Sequence, residues 1–153
     1  MDKTRTIHTA GGAERLELLG NVLELRATAD ETAGTLSAVE YDAVPGFPGP
    51  PLHVHDFDEL FYVLEGRLDV RAGDEVTELG PGASAYLPGH EPHTFANPGD
   101  ERVRFLVVCV PGGFEAYFRA LAAGDAGAVA AAAERFGLRL VGEAVQAGAT
   151  ASR

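Results

Sequence analysis

The sequence predicts an all-β chain, built as a β-sandwich or small barrel, with one or two α-helices at its C-terminal end. Two observations carry this. Between residues 14 and 110, short apolar runs follow one another at close intervals, most of them separated by Gly-, Pro-, Asn- or Asp-containing turns. After residue 112 the composition shifts to alanine-rich helix formers with no internal proline. Many short strands joined by tight turns must bury one face of each sheet against another, which leaves a sandwich or a closed barrel.

In chain order, residues 1–13 are polar and contain Gly11-Gly12, which suits a loose or edge-pairing arm. Leu16 and Leu18 flank Glu17, Leu23 and Leu25 flank Glu24, and residues 35–44 alternate in the same way, the period of half-buried strands. Gly20-Asn21 is the expected turn between the first two. Residues 45–51 (PGFPGPP) hold four prolines, so they form an extended loop. Strands are expected at 52–55, 60–64, 67–71, 75–79, 83–87, 93–96 and 102–110. Helices are expected over 113–123 and 125–136, the second with Asp125 as N-cap and Gly137 as its stop. Residues 138–141 suit a last short strand. This divides a single domain of residues 1–153 into a barrel (14–112), a helical segment (113–137) and a flexible tail (143–153).

Composition removes several classes of function. At 153 residues the chain has room for one core and for no second catalytic domain. Twelve Lys and Arg against 23 Asp and Glu give a net charge of −11, a surface that repels nucleic-acid phosphates and anionic lipid, so neither nucleic acid nor membrane is an expected partner. Cys109 stands alone and closes no intramolecular disulfide; in its apolar run it reads as a small buried hydrophobe. No apolar run approaches the ~18 residues that span a bilayer, and no signal-peptide pattern opens the chain, so a cytoplasmic location is expected.

The chemistry is concentrated in few residues. There are five histidines: His8, His53, His55, His90 and His93. His53 and His55 are two apart, which on a helix would aim them about 200° apart but on a strand puts both on one face, roughly 6 to 7 Å between Cβ atoms. Two imidazoles so placed converge on one ion. Glu59 shares the strand parity of His55 and offers a carboxylate oxygen, whereas His93 joins only if the sheet brings its strand alongside. Taken singly, an HxH pair also suits an ordinary solvated strand, and a lone Glu a surface position.

Taken together, these residues resemble a known family. His53-x-His55-x3-Glu59-x6-Gly66 and Gly82-x5-Pro88-x4-His93-x3-Asn97 are similar to the two signature motifs of the cupin superfamily, with a 15-residue connector between Gly66 and Gly82. Two positions depart from the pattern. Gly46 stands seven residues before His53 where six is usual, and His90 occupies a place where the second motif has glycine, either exposed in the turn or reaching the mouth of the site.

The resemblance implies a double-stranded β-helix, the cupin jelly-roll barrel, holding one divalent transition metal through His53, His55, Glu59 and His93. Three neutral imidazoles and one carboxylate suit Fe, Mn, Ni, Co, Cu or Zn rather than Ca or Mg, and leave coordination positions open for substrate. Strand parity and flanking positions give Tyr41, Phe47, Phe61, Val63, Tyr86, Phe95, Phe105 and Val107 as candidate walls of a pocket for a small aromatic or apolar molecule, although each of them taken singly better suits ordinary core. The stretch from Val110 to Phe118 and residues 133–137 are similar to the helices of small bacterial cupins related to quercetin 2,3-dioxygenase. Phe114, Tyr117 and Phe118 in that stretch also suit an amphipathic face that simply packs on the barrel.

That likeness implies a metal-dependent dioxygenase acting on an enolisable aromatic, with Glu59 as general base, and a homodimer. An O2-independent isomerase, lyase or polyketide cyclase, and a non-enzymatic metal- or ligand-binding module, share the same fold and ligands.

Overall fold

The computed structural model describes residues 2–145. Strands β1 (Glu14–Leu18) and β2 (Asn21–Ala27) form a hairpin, followed by the single turn α1 (Ala29–Thr32) and by β3 (Ser37–Ala43), β4 (His53–Val54) and β5 (Asp58–Glu65). Next come β6 (Leu68–Ala72), β7 (Glu75–Leu79), β8 (Ser84–Leu87), β9 (His93–Ala96) and β10 (Val103–Val110). Helices α2 (Glu115–Ala123) and α3 (Ala126–Arg135) and the short β11 (Arg139–Leu140) complete the order. The strands make two antiparallel sheets, β1-β2-β3-β10-β5-β8 and β11-β4-β9-β6-β7, which face each other as a jelly roll.

Period-two patterning decides what lies between the sheets. Inward positions of β2, β3 and β10 place Leu23, Leu25, Val39, Tyr41, Phe105, Val107 and Cys109 in the core. Tyr41 stacks on Phe105 with ring centroids 5.1 Å apart, and Phe61 and Phe95 meet at 5.3 Å from opposite sheets. Outward positions of the same strands are charged and paired: Arg26 binds Glu24 and Glu40, and Arg104 binds Glu40 and Glu65. Several of the acids behind the net charge are therefore placed in ion pairs on the outer face of this sheet.

Three local features differ from the sequence reading. The β1–β2 turn is Leu19-Gly20, both at positive φ (51° and 84°), one residue earlier than expected. A two-residue turn of that kind matches the twist of the strands it joins. The shift moves Asn21 into β2, where its buried side chain accepts the Val44 N–H at 2.9 Å. Helix α1 is an addition to the expected elements; its signal is the Thr28-x-x-Glu31 capping box, in which the Thr28 N–H donates to Glu31 Oε2 at 2.9 Å. At the other end a flexible tail is expected from residue 143, yet the Glu143 carbonyl accepts the Leu52 N–H at 3.1 Å and Val145 is buried. Residues 146–153 of that tail lie outside the described residues.

The loop over residues 45–51 is fixed by close approach. A Cβ on Gly49, at φ 75°, would lie 1.6 Å from the Phe95 carbonyl oxygen, so only glycine lets the loop press onto β9. The Thr94 hydroxyl then donates to the Pro50 carbonyl at 2.6 Å.

Helix α2 is tied to the barrel by polar contacts. Buried Glu115 accepts the Ala29 N–H at 2.6 Å and the Ser37 hydroxyl, while Ser37 Oγ accepts the Gly113 N–H at 2.8 Å. Asp125 caps α3 by accepting the Ala128 N–H at 3.0 Å. Among the described residues no helix is long and apolar enough to cross a membrane.

Candidate metal centre

His53 and His93 are direct cross-strand partners on β4 and β9, which brings together residues forty apart in sequence with ring centroids 4.6 Å apart. Strand β4 is only two residues long, so His55 lies just past it, its ring stacked on Phe57 at 3.7 Å. Glu59 comes from β5 in the opposite sheet, opposite Cys109 and Leu87. All four side chains are buried.

Each imidazole is oriented by a backbone carbonyl two residues away. The Nδ1–H groups of His53, His55 and His93 donate to the carbonyls of Pro51 (2.8 Å), Phe57 (2.9 Å) and Glu91 (2.8 Å). A carbonyl only accepts, so Nδ1 carries a proton in all three rings, and whenever a ring is neutral its lone pair sits on Nε2. His55 Nε2 lies 3.1 Å from His93 Nε2 and 3.1 Å from Glu59 Oε2, and His93 Nε2 lies 2.9 Å from the same oxygen. The three imidazoles offer ligand atoms that all fall within 4.8 Å of one another.

So many lone pairs and a carboxylate at such range repel unless a proton or a cation sits among them. A divalent ion with a preference for nitrogen removes that repulsion without adding a proton, and the donor set therefore fits a metal. The buried His53, His55 and His93 group can hold a metal ion, with Glu59 beside it.

The electrostatics follow from burial and proximity. Burial, assisted by neighbouring His93, pushes His53 down to about 4. Burial alone would raise Glu59, but in the metal-free site a second proton, on Nε2 of the histidines beside it, donates to the carboxylate and brings a positive potential, and these contributions from His55 and His93 outweigh burial and hold the carboxyl at about 2. Burial would lower His93; its bond to Glu59 outweighs that and raises it. Cys109 is pushed well up by burial and stays a thiol.

In the metal-free protein these shifts make acid destabilising. Unfolded His53 takes up a proton below about pH 6.5 while the folded residue stays neutral to about 4, so the unfolded state binds more protons in that window and stability declines as pH falls. Glu59, folded at about 2 against 4.5 in the open chain, extends the decline below pH 4.5. His93 runs the other way, its share being lost as pH rises through its raised value. Thermal melts of metal-free protein are expected to show Tm falling between about pH 6.5 and 4, less steeply in His53→Gln. A wild-type Tm that is flat across this range would contradict the assignment.

The cluster is the polar end of a cavity of about 710 Å³ whose walls include Tyr41, Phe47, Phe61, Phe95 and Val107. Three residues expected there are elsewhere. Val63 and Phe105 have no exposed surface and sit in the core beyond the cavity, one inward position further along their strands than Phe61 and Val107. Tyr86 is 62% exposed on the outer face of β8, because its parity on that strand is opposite to that of Leu87.

The remaining wall is one that the sequence presents equally well as a packing face. Phe114, Tyr117, Phe118 and Leu121 form a helical stripe on and just before α2, which covers the cavity. Buried Asn21 lines it as well. His90 is exposed in the turn after β8, at φ 69°, a conformation that favours glycine, and its backbone N–H donates to the His55 carbonyl at 2.8 Å.

Comparison with known proteins agrees with this geometry. Residues 39–109, which contain all four clustered residues, match the cupin domain family. Those residues, a little under half of the chain, are thus similar to a cupin domain. Quercetin 2,3-dioxygenase of Bacillus subtilis (strain 168) is 31% identical to this protein over 70 residues, 45% of this chain and 20% of that enzyme, so the match spans a fifth of the relative's length.

Among solved structures, KdgF from Halomonas sp. superposes with a TM-score of 0.63 at 20% identity, covering 72% of this protein and 96% of that chain. The polyketide cyclase RemF from Streptomyces resistomycificus gives a TM-score of 0.60 at 23% identity, covering 70% and 80%. At these identities the structural matches concern the fold.

Proposed function

We propose that this protein is a cupin and a metal-dependent dioxygenase of small, uncharged aromatic enols or phenols, resembling quercetinases, with Glu59 as ligand and proton acceptor. The observation that carries the reading is the placement of one buried cluster, three histidines and a glutamate, at the end of an otherwise aromatic cavity. His53, His55 and His93, with Glu59, would hold a single divalent ion (Fe, Mn, Ni, Co, Cu or Zn), which supplies a Lewis acid for the substrate oxygen and access to O2 chemistry.

The chain's own residues do the rest. Ionised Glu59 accepts the substrate's hydroxyl proton, a role open to it because its carboxyl is held far below neutrality. Phe61, Phe95 and Val107 hold the ring system flat against the barrel wall, and Phe114, Tyr117 and Phe118 keep water from the reacting end. Among the described residues, Arg and Lys are absent from the cavity lining, which favours a neutral substrate over a phosphate or sugar acid.

The test is turnover of 3-hydroxyflavone, a compact planar enolone, by metal-loaded protein with and without O2. Consumption of O2 matching substrate loss is the expected result. Product formation that persists unchanged under anaerobic conditions would replace this reading with an isomerase, lyase or cyclase. No turnover at full metal occupancy would leave a binding module.

A further inference from the structure

The cavity has a second polar point, far from the metal cluster. Along β10, Cys109 pairs with Glu59 while Phe105 pairs with Tyr41. Four residues of strand separate these levels, about 13 Å at roughly 3.3 Å per residue. Tyr41 is 5% exposed and its ring is fixed by stacking on Phe105. Asn21, 1% exposed, also lines the cavity.

The Asn21 side chain is held by the Val44 N–H, which donates to its Oδ1 at 2.9 Å. Tyr41 lines the cavity, and its O–H donates to no protein acceptor among the described residues. Burial raises the phenol, so it keeps its proton throughout the physiological range. Most of the remaining wall is hydrocarbon, chiefly Phe47, Phe61, Phe95 and Val107, with Glu17 also in the lining.

We propose that Tyr41, held by its stack on Phe105, is a specificity-determining residue that donates a hydrogen bond to an oxygen at the distal end of the substrate, so that the cavity selects elongated planar molecules with oxygen at both ends. This rests on the aromatic-enol reading above. A site built to hydrogen-bond a substrate oxygen discriminates against the analogue lacking it, because the buried donor is then left unpaired.

Calorimetry of the zinc-loaded protein with 3-hydroxyflavone and 3,4′-dihydroxyflavone tests this without requiring turnover. Wild-type protein is expected to bind the dihydroxy compound about tenfold more tightly. Tyr41→Phe keeps the ring and its stacking, and is expected to abolish that preference; a variant that merely loosened the fold would weaken both ligands alike. Equal affinities for the two compounds in wild type, or an undiminished preference in Tyr41→Phe, would overturn the proposal while leaving the enol reading intact. Failure of both compounds to bind would overturn the enol reading and this proposal with it.

Discussion

Replacing His55 or His93 with alanine is expected to strip the protein of stoichiometric metal, weakening affinity by more than about a hundredfold. That is beyond the loss usual for disturbing a residue that only orients a ligand. Each imidazole contributes one lone pair, aimed by its own backbone carbonyl, and no other described histidine or cysteine lies in the group to replace it. Elemental analysis of untagged protein and a chelator-competition titration read the effect. His90→Ala is the control, because His90 is exposed in a turn outside the cavity and its loss should leave metal content unchanged. Full occupancy in His93→Ala, or a wild-type protein that binds no metal, would refute the site.

Glu59→Gln is expected to retain metal through the three histidines and to lose about 10²- to 10⁴-fold in turnover, the range for removal of a positioned general base. Glutamine matches the shape of the side chain and can still accept hydrogen bonds at Oε1, but it has no carboxylate to take up a proton. Full metal content with depressed kcat separates this role from a purely structural one. Unchanged turnover would remove Glu59 as base and leave it as a charge that balances the ion. The variant also removes the partner that raises His93, so the opposing, alkaline-side share of the pH dependence of stability should fall away with it.

Much of the site is legible in the sequence because it depends on local spacing. His53, His55 and Glu59 sit within seven residues, and their spacing together with that around His93 recurs in a known family; the structure brings all four side chains together. The walls are less legible. Parity along a strand separates inside from outside only when the register of that strand is known, and β8 presents Tyr86 to solvent and Leu87 to the core. Even inward parity does not distinguish a cavity wall from filled core: Phe61 and Val63 share it, and only Phe61 borders the cavity. The aromatic stripe on and before α2 is visible as an amphipathic face, but nothing local says that the surface beneath it is the open end of a barrel.

What the sequence determined by itself is set by periodicity and chain stiffness. It determined the succession of strands, the proline loop, the two long C-terminal helices and the identity of the four clustered residues. Tertiary structure decided what depends on contacts between distant segments. It places His93 beside His53 across a strand pair and moves Asn21 into a strand by shifting a turn one residue. Docking of α2 through Glu115 and Ser37 then makes an aromatic helix face into the wall of a cavity. The physical reason is that a side chain's direction is a property of its own backbone, whereas the space it faces is made by residues that only the packed sheets bring near it.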